Sequence, residues 1–165
     1  VGVAPATGDA PFVIASSTYD ANFPAQAAAD GGSDAGAWTN RGGWQSAATP
    51  SDAAPQYLSF LFPAPRTLSE LTLVGHPEAP YALRSFVFQY RTDGRWMDIE
   101  ATRVRDNSEA TRWTFGFAAL TTYQVRLVIF ATADPYARVL EVEFGGATDA
   151  EAVSGPRLCA PRANA

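Results

Sequence analysis

Short segments in which apolar and polar residues alternate, each bounded by turn residues, are the feature that most constrains the fold of this chain. In Tyr57–Phe62, the side chains of Leu58, Phe60 and Phe62 fall on one face of an extended strand. The predicted strands are Phe12–Ser17, Tyr57–Phe62, Leu68–Gly75, Ser85–Arg91, Arg95–Glu100, Arg112–Phe117, Gln124–Ala131 and Ala137–Gly145. About eight short strands without a long amphipathic helix predict an all-β sandwich.

The turn residues divide the chain into a central domain and two short extensions. Residues 1–11, VGVAPATGDAP, are mostly small residues and predict a lead-in strand or linker. Residues 12–146 hold every predicted strand, and a chain of 165 residues suits one such domain. Residues 147–165 carry no aromatic side chain and predict an extended tail or linker.

Composition excludes several classes of partner. The formal net charge is −5, and all twelve basic residues are arginine. The chain therefore lacks the basic stripe that binds phosphate backbones, and we expect no nucleic-acid partner. No apolar run reaches the length that spans a bilayer, so we expect no membrane insertion. The single cysteine, Cys159, permits no internal disulfide.

One irregular segment, Ala27–Trp44, is rich in glycine and aspartate. Such a segment buries few side chains to offset its ordering entropy. Order would come from a buried Trp38 at one end. At the other end, carboxylate and carbonyl oxygens would gather round a hard cation or bind backbone amides. A solvated surface loop is the alternative. Gln26–Asp30, which overlaps the start of this segment, predicts one helical turn that Gly31 and Gly32 end.

The order of five segments resembles the discoidin, or coagulation-factor type C, domain family, which includes the family 32 carbohydrate-binding modules. The segments are ASSTYDANFPAQAAADGG followed by a Trp, YLSFLFPAPRTLSELTLVG, SFVFQYRTDGRWMDI, YQVRLVIF and ARVLEVEFGG. They extend over residues 12–146. The resemblance implies a galactose-binding-domain-like jelly roll of antiparallel strands. It also implies that loops at one end form a binding surface and that the first and last strands lie close together.

The resemblance also implies a structural calcium ion between the Asp-Gly loop and the closing strand. Asp30 and Glu141 match two of the family's carboxylate ligands, and Asp34 would compensate for missing ones. Gly32 stands where a second Asp is usual, and Gly36 stands where a Thr is usual. Calcium takes six to eight oxygen ligands, which loop carbonyls can supply. In the alternative, Asp30 only caps the backbone of its own loop.

Sugar recognition needs an aromatic face for the apolar side of a pyranose ring and a few polar groups for its hydroxyls. In family members that bind sugars, the contacts come from the residues just after the loop Trp, from the connection after the LTLVG-like strand and from an aromatic residue just before the closing strand. The corresponding residues here are Thr39 and Asn40, His76 with Tyr81, and Tyr136. Trp44 is a further aromatic candidate that the loops offer. HPEAPYALR stands where many members carry an Arg and an Asn, so the resemblance does not bring galactose specificity to this chain.

Several of these residues have an alternative role. A lone histidine in a Pro-flanked loop, such as His76, is commonly a polar surface residue, and Tyr136 can equally close the sandwich by packing. Trp96 and Trp113 lie in strand patterns and favour core positions. Glu141 and Glu143 point the same way from one strand, which prevents them from flanking a substrate as a glycosidase pair does. The alternative to a ligand role is that both face solvent beside Arg138 or Arg126.

The sequence therefore predicts a non-catalytic carbohydrate-binding or adhesion module that targets a larger protein or particle to a glycan-bearing surface. The competing hypothesis is a structural or protein-interaction module packed against other subunits of a secreted, cell-surface or viral assembly, such as a phage fibre or capsid. Both place the domain outside the cell, on a cell surface or on a virion. An enzyme is disfavoured, because one histidine and no nucleophile–base pair argue against a triad.

Overall fold

The computed structural model describes residues 10–33, 38 and 42–146. Most of the lead-in 1–11 and the whole tail 147–165 lie outside this range, as do Asp34, Thr39 and Asn40. The strands are β1 (Phe12–Ala15), β2 (Trp44–Gln45), β3 (Gln56–Gly75), β4 (Leu83–Thr92), β5 (Arg95–Asp98), β6 (Arg112–Thr132) and β7 (Arg138–Gly145). Short 3₁₀ helices span Ala25–Ala29, Ala79–Tyr81 and Glu100–Thr102. In the described residues no helix is long and apolar enough to cross a membrane.

All strand pairs are antiparallel, in the order β2-β7-β3-β6-β4-β5, and β1 also pairs with β3. The first half of β3 pairs with β1, and its second half pairs with β7. The second half of β6 pairs with β4. Because β3 and β6 each pass through both layers, they fold one ladder into a sandwich. This architecture confirms the predicted all-β fold.

The continuity of β3 and β6 differs from the prediction, which placed two strands in each. The segment PAPRT, which separates two of the predicted strands, lies inside β3. The ladder to β6 has a register shift between Leu61 and Arg66, so Pro63 and Pro65 fall where no backbone N–H is needed for pairing. The chain therefore folds back at the prolines, and its pairing with β6 resumes beyond them.

The predicted strand faces form the core. Leu58, Phe60 and Phe62 are buried together with Phe86 and Phe88. Trp113 is half buried and packs edge-on against Phe86, close to the expected position. Trp96 differs, because its half-buried ring lies 4.2 Å from the Arg126 guanidinium carbon and does not belong to the apolar cluster. The Arg126 side chain therefore covers the Trp96 ring on the outer face of the sheet.

Three loops gather at one end of the sandwich, which we call the loop end. Ala15 of β1 pairs with Leu58 near the start of β3. Gly75 at the end of β3 pairs with Val139 at the start of β7. Leu83 at the start of β4 pairs with Thr132 at the end of β6. Residues 16–24, 76–82 and 133–137 therefore meet there, and this is the end where a binding surface was expected.

Trp44 corrects the sequence analysis, which placed it among the sugar contacts. Its side chain is fully buried, and its Nε1–H donates to the carbonyl of Ser17 at 3.0 Å. The two-residue strand β2 fixes it there by pairing with Arg138 and Val139. Trp44 has no surface left for a ligand. It instead anchors the chain that leaves β1 against the core.

Trp44→Phe should lower the free energy of unfolding by roughly 1–3 kcal/mol, because it leaves the Ser17 carbonyl without its buried donor and opens space in the core. Urea denaturation measures this change. Trp96→Phe, at a half-buried position, is the matched control and should cost less. An equal or smaller loss for Trp44→Phe would contradict the anchoring role.

Candidate functional site

Seven side chains at the loop end contact one another in a closed ring, which we call the rim cluster. Its members are Tyr19, Phe23, Trp38, His76, Tyr81, Arg138 and Tyr136. Successive ring centroids lie between 4.7 and 6.1 Å apart, and the Arg138 guanidinium carbon lies 4.7 Å from the Tyr81 centroid and 5.6 Å from that of Tyr136. Most neighbouring rings meet edge to face, the arrangement that aromatic quadrupoles favour.

The members of the rim cluster come from four parts of the chain. Tyr19 and Phe23 follow β1, Trp38 lies in the Gly/Asp-rich segment, His76 and Tyr81 lie between β3 and β4, and Tyr136 and Arg138 lie at the β6–β7 connection. The structure thus brings together three residues predicted as sugar contacts: His76, Tyr81 and Tyr136. Tyr19, with 48% of its surface exposed, presents the most open ring of the cluster.

Arg138 holds the cluster together from below. Its Nη1 donates to Oδ2 of Asp134 at 2.5 Å, and its Nε donates to Oε1 of Gln45 at 3.3 Å. The ion pair is largely shielded, so the guanidinium is fixed between the rings of Tyr81 and Tyr136. The other oxygen of Asp134, Oδ1, is buried and has no partner among the described residues. Both tyrosine rings therefore lie against a fixed cation.

His76 is buried, with 7% of its surface exposed, and is not the polar surface residue of the alternative reading. Its ring lies edge-on to Trp38 and Tyr81. Its Nδ1 accepts the Glu78 backbone N–H at 3.1 Å, which assigns the proton of the neutral ring to Nε2. Burial, and next the nearby Arg138, lower the pKa of His76, so the ring is neutral at physiological pH.

Trp38 anchors the part of the Gly/Asp-rich segment that the structure describes around it. Its ring is half buried and contacts Phe23 as well as His76. A Cβ atom on Gly43 would lie 2.4 Å from the Trp38 ring, so only glycine fits there. Trp38 thus has the anchoring contacts expected of it, although it is only half buried. The neighbouring predicted contacts Thr39 and Asn40 lie outside the described residues.

Glu141 is the second chemically unusual group at this end. The solvent position that was the alternative to its ligand role is excluded, because only 3% of the Glu141 surface is exposed, whereas Glu143 is exposed. Its Oε1 accepts the Gly31 N–H at 3.2 Å, and its Oε2 is buried with no partner among the described residues. Burial raises the pKa of Glu141 to about 8. Asp30 and Glu143 add to this effect, and the Gly31 hydrogen bond opposes it.

Asp30 caps its own loop, as the alternative reading expected. It is exposed, and its Oδ1 accepts the Gly32 N–H at 2.8 Å. Gly31 between them has a φ of +87°, which only glycine adopts without strain. The described residues contain no group of three or more His, Cys, Asp or Glu side chains that could hold a metal ion. Asp34, the third predicted ligand, lies outside them.

Comparison with protein families identifies the family to which this chain belongs. The F5/8 type C domain model matches residues 13–144, most of the chain, so this protein belongs to that family. The resemblance drawn from the sequence is thereby confirmed. A comparison with curated protein sequences gave no significant match.

Solved structures with the same fold include several carbohydrate-binding modules. Chitosan-binding module 1 of a chitosanase/glucanase from Paenibacillus sp. IK-5 is 24% identical, with a TM-score of 0.67 over 84% of this chain and 97% of that module. The family 32 module of NanJ from C. perfringens, in complex with galactose, is 16% identical, with a TM-score of 0.63 over 82% and 98%. The family 32 module of AlyQ, bound to 4,5-unsaturated mannuronic acid, is 17% identical, with a TM-score of 0.63 over 84% and 97%.

Three members of the rim cluster, Tyr19, Phe23 and Arg138, were not among the site residues predicted from the sequence. The pattern YDANF does contain two aromatic residues in a turn, which is a weak signal for a surface contact. Arg138 carried no signal, because its role depends on Asp134, Tyr81 and Tyr136 meeting in space.

With divalent cations chelated, the free energy of unfolding should fall as pH rises from about 4.5 to about 8. Over this window the unfolded chain releases the Glu141 proton while the folded chain retains it, so the raised pKa stabilises the fold at low pH and that stabilisation is lost as pH rises. The full change is on the order of a few kcal/mol. Urea denaturation across this range measures it.

Glu141→Gln should remove this part of the pH profile, since the amide keeps an acceptor for Gly31 and cannot ionise. Glu143→Gln, an exposed carboxylate on the same strand, is the matched control and should leave the slope unchanged. Parallel profiles for wild type and Glu141→Gln would show that Glu141 ionises normally in the folded chain.

Proposed function

We propose that this protein is a non-catalytic carbohydrate-binding module and that the rim cluster is its sugar site. The observation that carries the proposal is the closed ring that six aromatic side chains and a fixed Arg138 form at the loop end. Aromatic faces stack on the apolar side of a pyranose ring, and fixed polar groups orient its hydroxyls. The rim cluster supplies both kinds of group on one surface.

Within the cluster, the exposed ring of Tyr19 and the half-buried rings of Tyr81 and Tyr136 are the surfaces that a sugar ring would contact. Tyrosine hydroxyls both donate and accept hydrogen bonds, as sugar hydroxyls require. His76, buried beneath, fixes the orientation of Tyr81. Thr39 and Asn40 remain predicted contacts from the neighbouring segment.

The relatives support a saccharide as the ligand class. Structures with this fold bind chitosan, galactose and 4,5-unsaturated mannuronic acid, which share pyranose rings but differ in charge and hydroxyl pattern. The class therefore follows from the family and the site, whereas the sugar itself depends on the loops of each member.

We infer that the module binds its sugar without transforming it. Glycosidases place two carboxyl groups on opposite sides of the scissile bond. Glu141 and Glu143 project from the same strand, and Glu141 is covered by the segment that contains Gly31. A binding module of this kind would be part of a larger protein or particle and would raise its local concentration at a glycan-bearing surface. The module itself would lie outside the cell, on a cell surface or on a virion. A shallow site gives weak single-site affinity, so several copies or modules would act together.

A structural or interaction module is the second candidate, favoured by the outer face of β1. There Phe12 and Ile14 leave 66% and 45% of their surfaces exposed. Such residues suit packing against another subunit of an assembly. We prefer the sugar site because two exposed residues make a small apolar patch, whereas the rim cluster is an organised group of seven side chains.

We also propose that Glu141 and the carbonyls and carboxylates of the Gly/Asp-rich segment hold a structural calcium ion. The buried, unpartnered Oε2 of Glu141 beside Asp30 fits a hard cation, which binds carboxylate oxygen and neutralises the buried charge. Asp30 and Glu141 would be ligands, and Asp34 would be a third. Bound calcium would fix the segment that carries Trp38 and so support the rim cluster.

Tyr136→Ala and Tyr81→Ala should each weaken sugar binding about tenfold, because each removes a ring from the contact surface. A glycan array of plant, microbial and animal sugars identifies the ligand, and isothermal titration calorimetry measures the affinity. Tyr123→Ala is the matched control, since Tyr123 is 62% exposed at the opposite end. No binding to any sugar, or equal binding by all four proteins, would refute the proposal.

Calcium added to chelator-stripped protein should give a binding heat and raise the melting temperature. Binding should tighten from pH 5 to pH 8, because calcium must displace the proton that Glu141 retains at low pH. Glu141→Gln should abolish most of the effect, and Glu143→Gln should not. Absence of both heat and thermal shift in the wild-type protein would remove calcium from the description.

A further inference from the structure

A cavity of about 410 Å³ lies beside the loop end, next to the start of β4 and the end of β6 and apart from the rim cluster. Its lining includes Asp52, Ser85, Arg103, Arg105, Asp106 and Phe130. These residues come from the segment before β3, the start of β4, the end of β6 and the loop after Glu100–Thr102. None of them belongs to the rim cluster. The volume lies in the range typical of small-molecule pockets.

Of the two arginine side chains that line the cavity, one already forms ion pairs and the other is available to a ligand. Arg103 is engaged, because it forms ion pairs with Asp98 and Glu100. Arg105, by contrast, is exposed and has no hydrogen bond or ion pair among the described residues. It therefore offers several N–H donors to a ligand.

Acceptors and a fixed wall complete the lining. The backbone N–H of Asp106 donates to Oγ of Ser85 at 3.2 Å, which ties the loop to the start of β4. The carboxylates of Asp52 and Asp106 are exposed and accept no hydrogen bond among the described residues. Phe130 is half buried at the end of β6 and supplies an aromatic side chain.

We propose that this cavity is a second saccharide subsite, which takes a pyranose unit that carries no carboxylate. Phe130 would contact the apolar side of the sugar ring. Arg105 would donate to ring or hydroxyl oxygens, while Asp52 and Asp106 would accept from hydroxyl or ammonium groups. The two available carboxylates outnumber the one available guanidinium, so a uronate is repelled.

The subsite rests on the proposed function and extends it from one sugar unit to an oligosaccharide. Phe130 and Tyr136 are joined by a connection that spans at most roughly 20 Å when fully extended. Both residues lie at the loop end, the first beside the cavity and the second in the rim cluster. An oligosaccharide of a few units is long enough to reach both surfaces. The protein would then prefer longer chains to single sugars.

The test is a titration of ¹⁵N-labelled protein with tetramers of glucosamine, N-acetylglucosamine, galactose and galacturonic acid, followed by amide NMR shifts. We expect at least one of the first three to shift amides of Ser85, Arg105 and Phe130 as well as those of the rim cluster, and galacturonate to leave the cavity amides unmoved. The double variant Asp52→Asn/Asp106→Asn should weaken binding of the tetramer that shifts the cavity amides about fivefold. It should not weaken binding of the corresponding monosaccharide at the rim cluster.

Asp93→Asn is the matched control for Asp106→Asn, because both aspartates are exposed with positive φ, 48° and 52°, and Asp93 lies in the far hairpin turn. Shifts confined to the rim cluster, or equal tetramer affinity in variants and controls, would overturn the cavity subsite and leave the proposed function intact. No shift with any sugar would overturn both.

Discussion

The long ladder between β3 and β6 is the constraint on which the rest of the structure depends. Each strand passes through both layers, and their register runs from Gln56 with Ile129 to Val74 with Arg112. Hydrogen bonds along this ladder fix where β1, β4 and β7 can attach. The three loops that meet at the loop end therefore have their positions set by backbone pairing, and the rim cluster follows from those positions.

Side-chain periodicity predicted the faces of the strands but not their continuity. Alternation in Tyr57–Phe62 placed Phe60 in the core correctly, because strand periodicity is a local property. Whether PAPRT ends a strand or lies within a continuous one depends on whether pairing with β6 resumes beyond it, and that is not local. The same limit explains Trp44, whose burial comes from pairing with Val139, far along the chain. Long-range pairing decided each of these cases.

The candidate site shows the same division. His76, Tyr81 and Tyr136 were predicted from their places in the loops, and the structure brings them together. For Glu141 the sequence left a ligand role and a solvent position open, since alternation on β7 gives it the same side as the exposed Glu143. The segment that covers Glu141 through Gly31 is remote in sequence, and no pattern on β7 reports it. Local patterns identified candidates, whereas packing decided which are covered.

The rim cluster closes on itself, and this has a consequence for how such a protein can diverge. Each member touches two others, so replacing any member except Arg138 leaves an open chain of six that is still held at Arg138 by Asp134. In the proposed sugar site, ligand preference would then drift one side chain at a time while the scaffold tolerates each step. A circular arrangement of weak contacts thus provides redundancy on which selection could act.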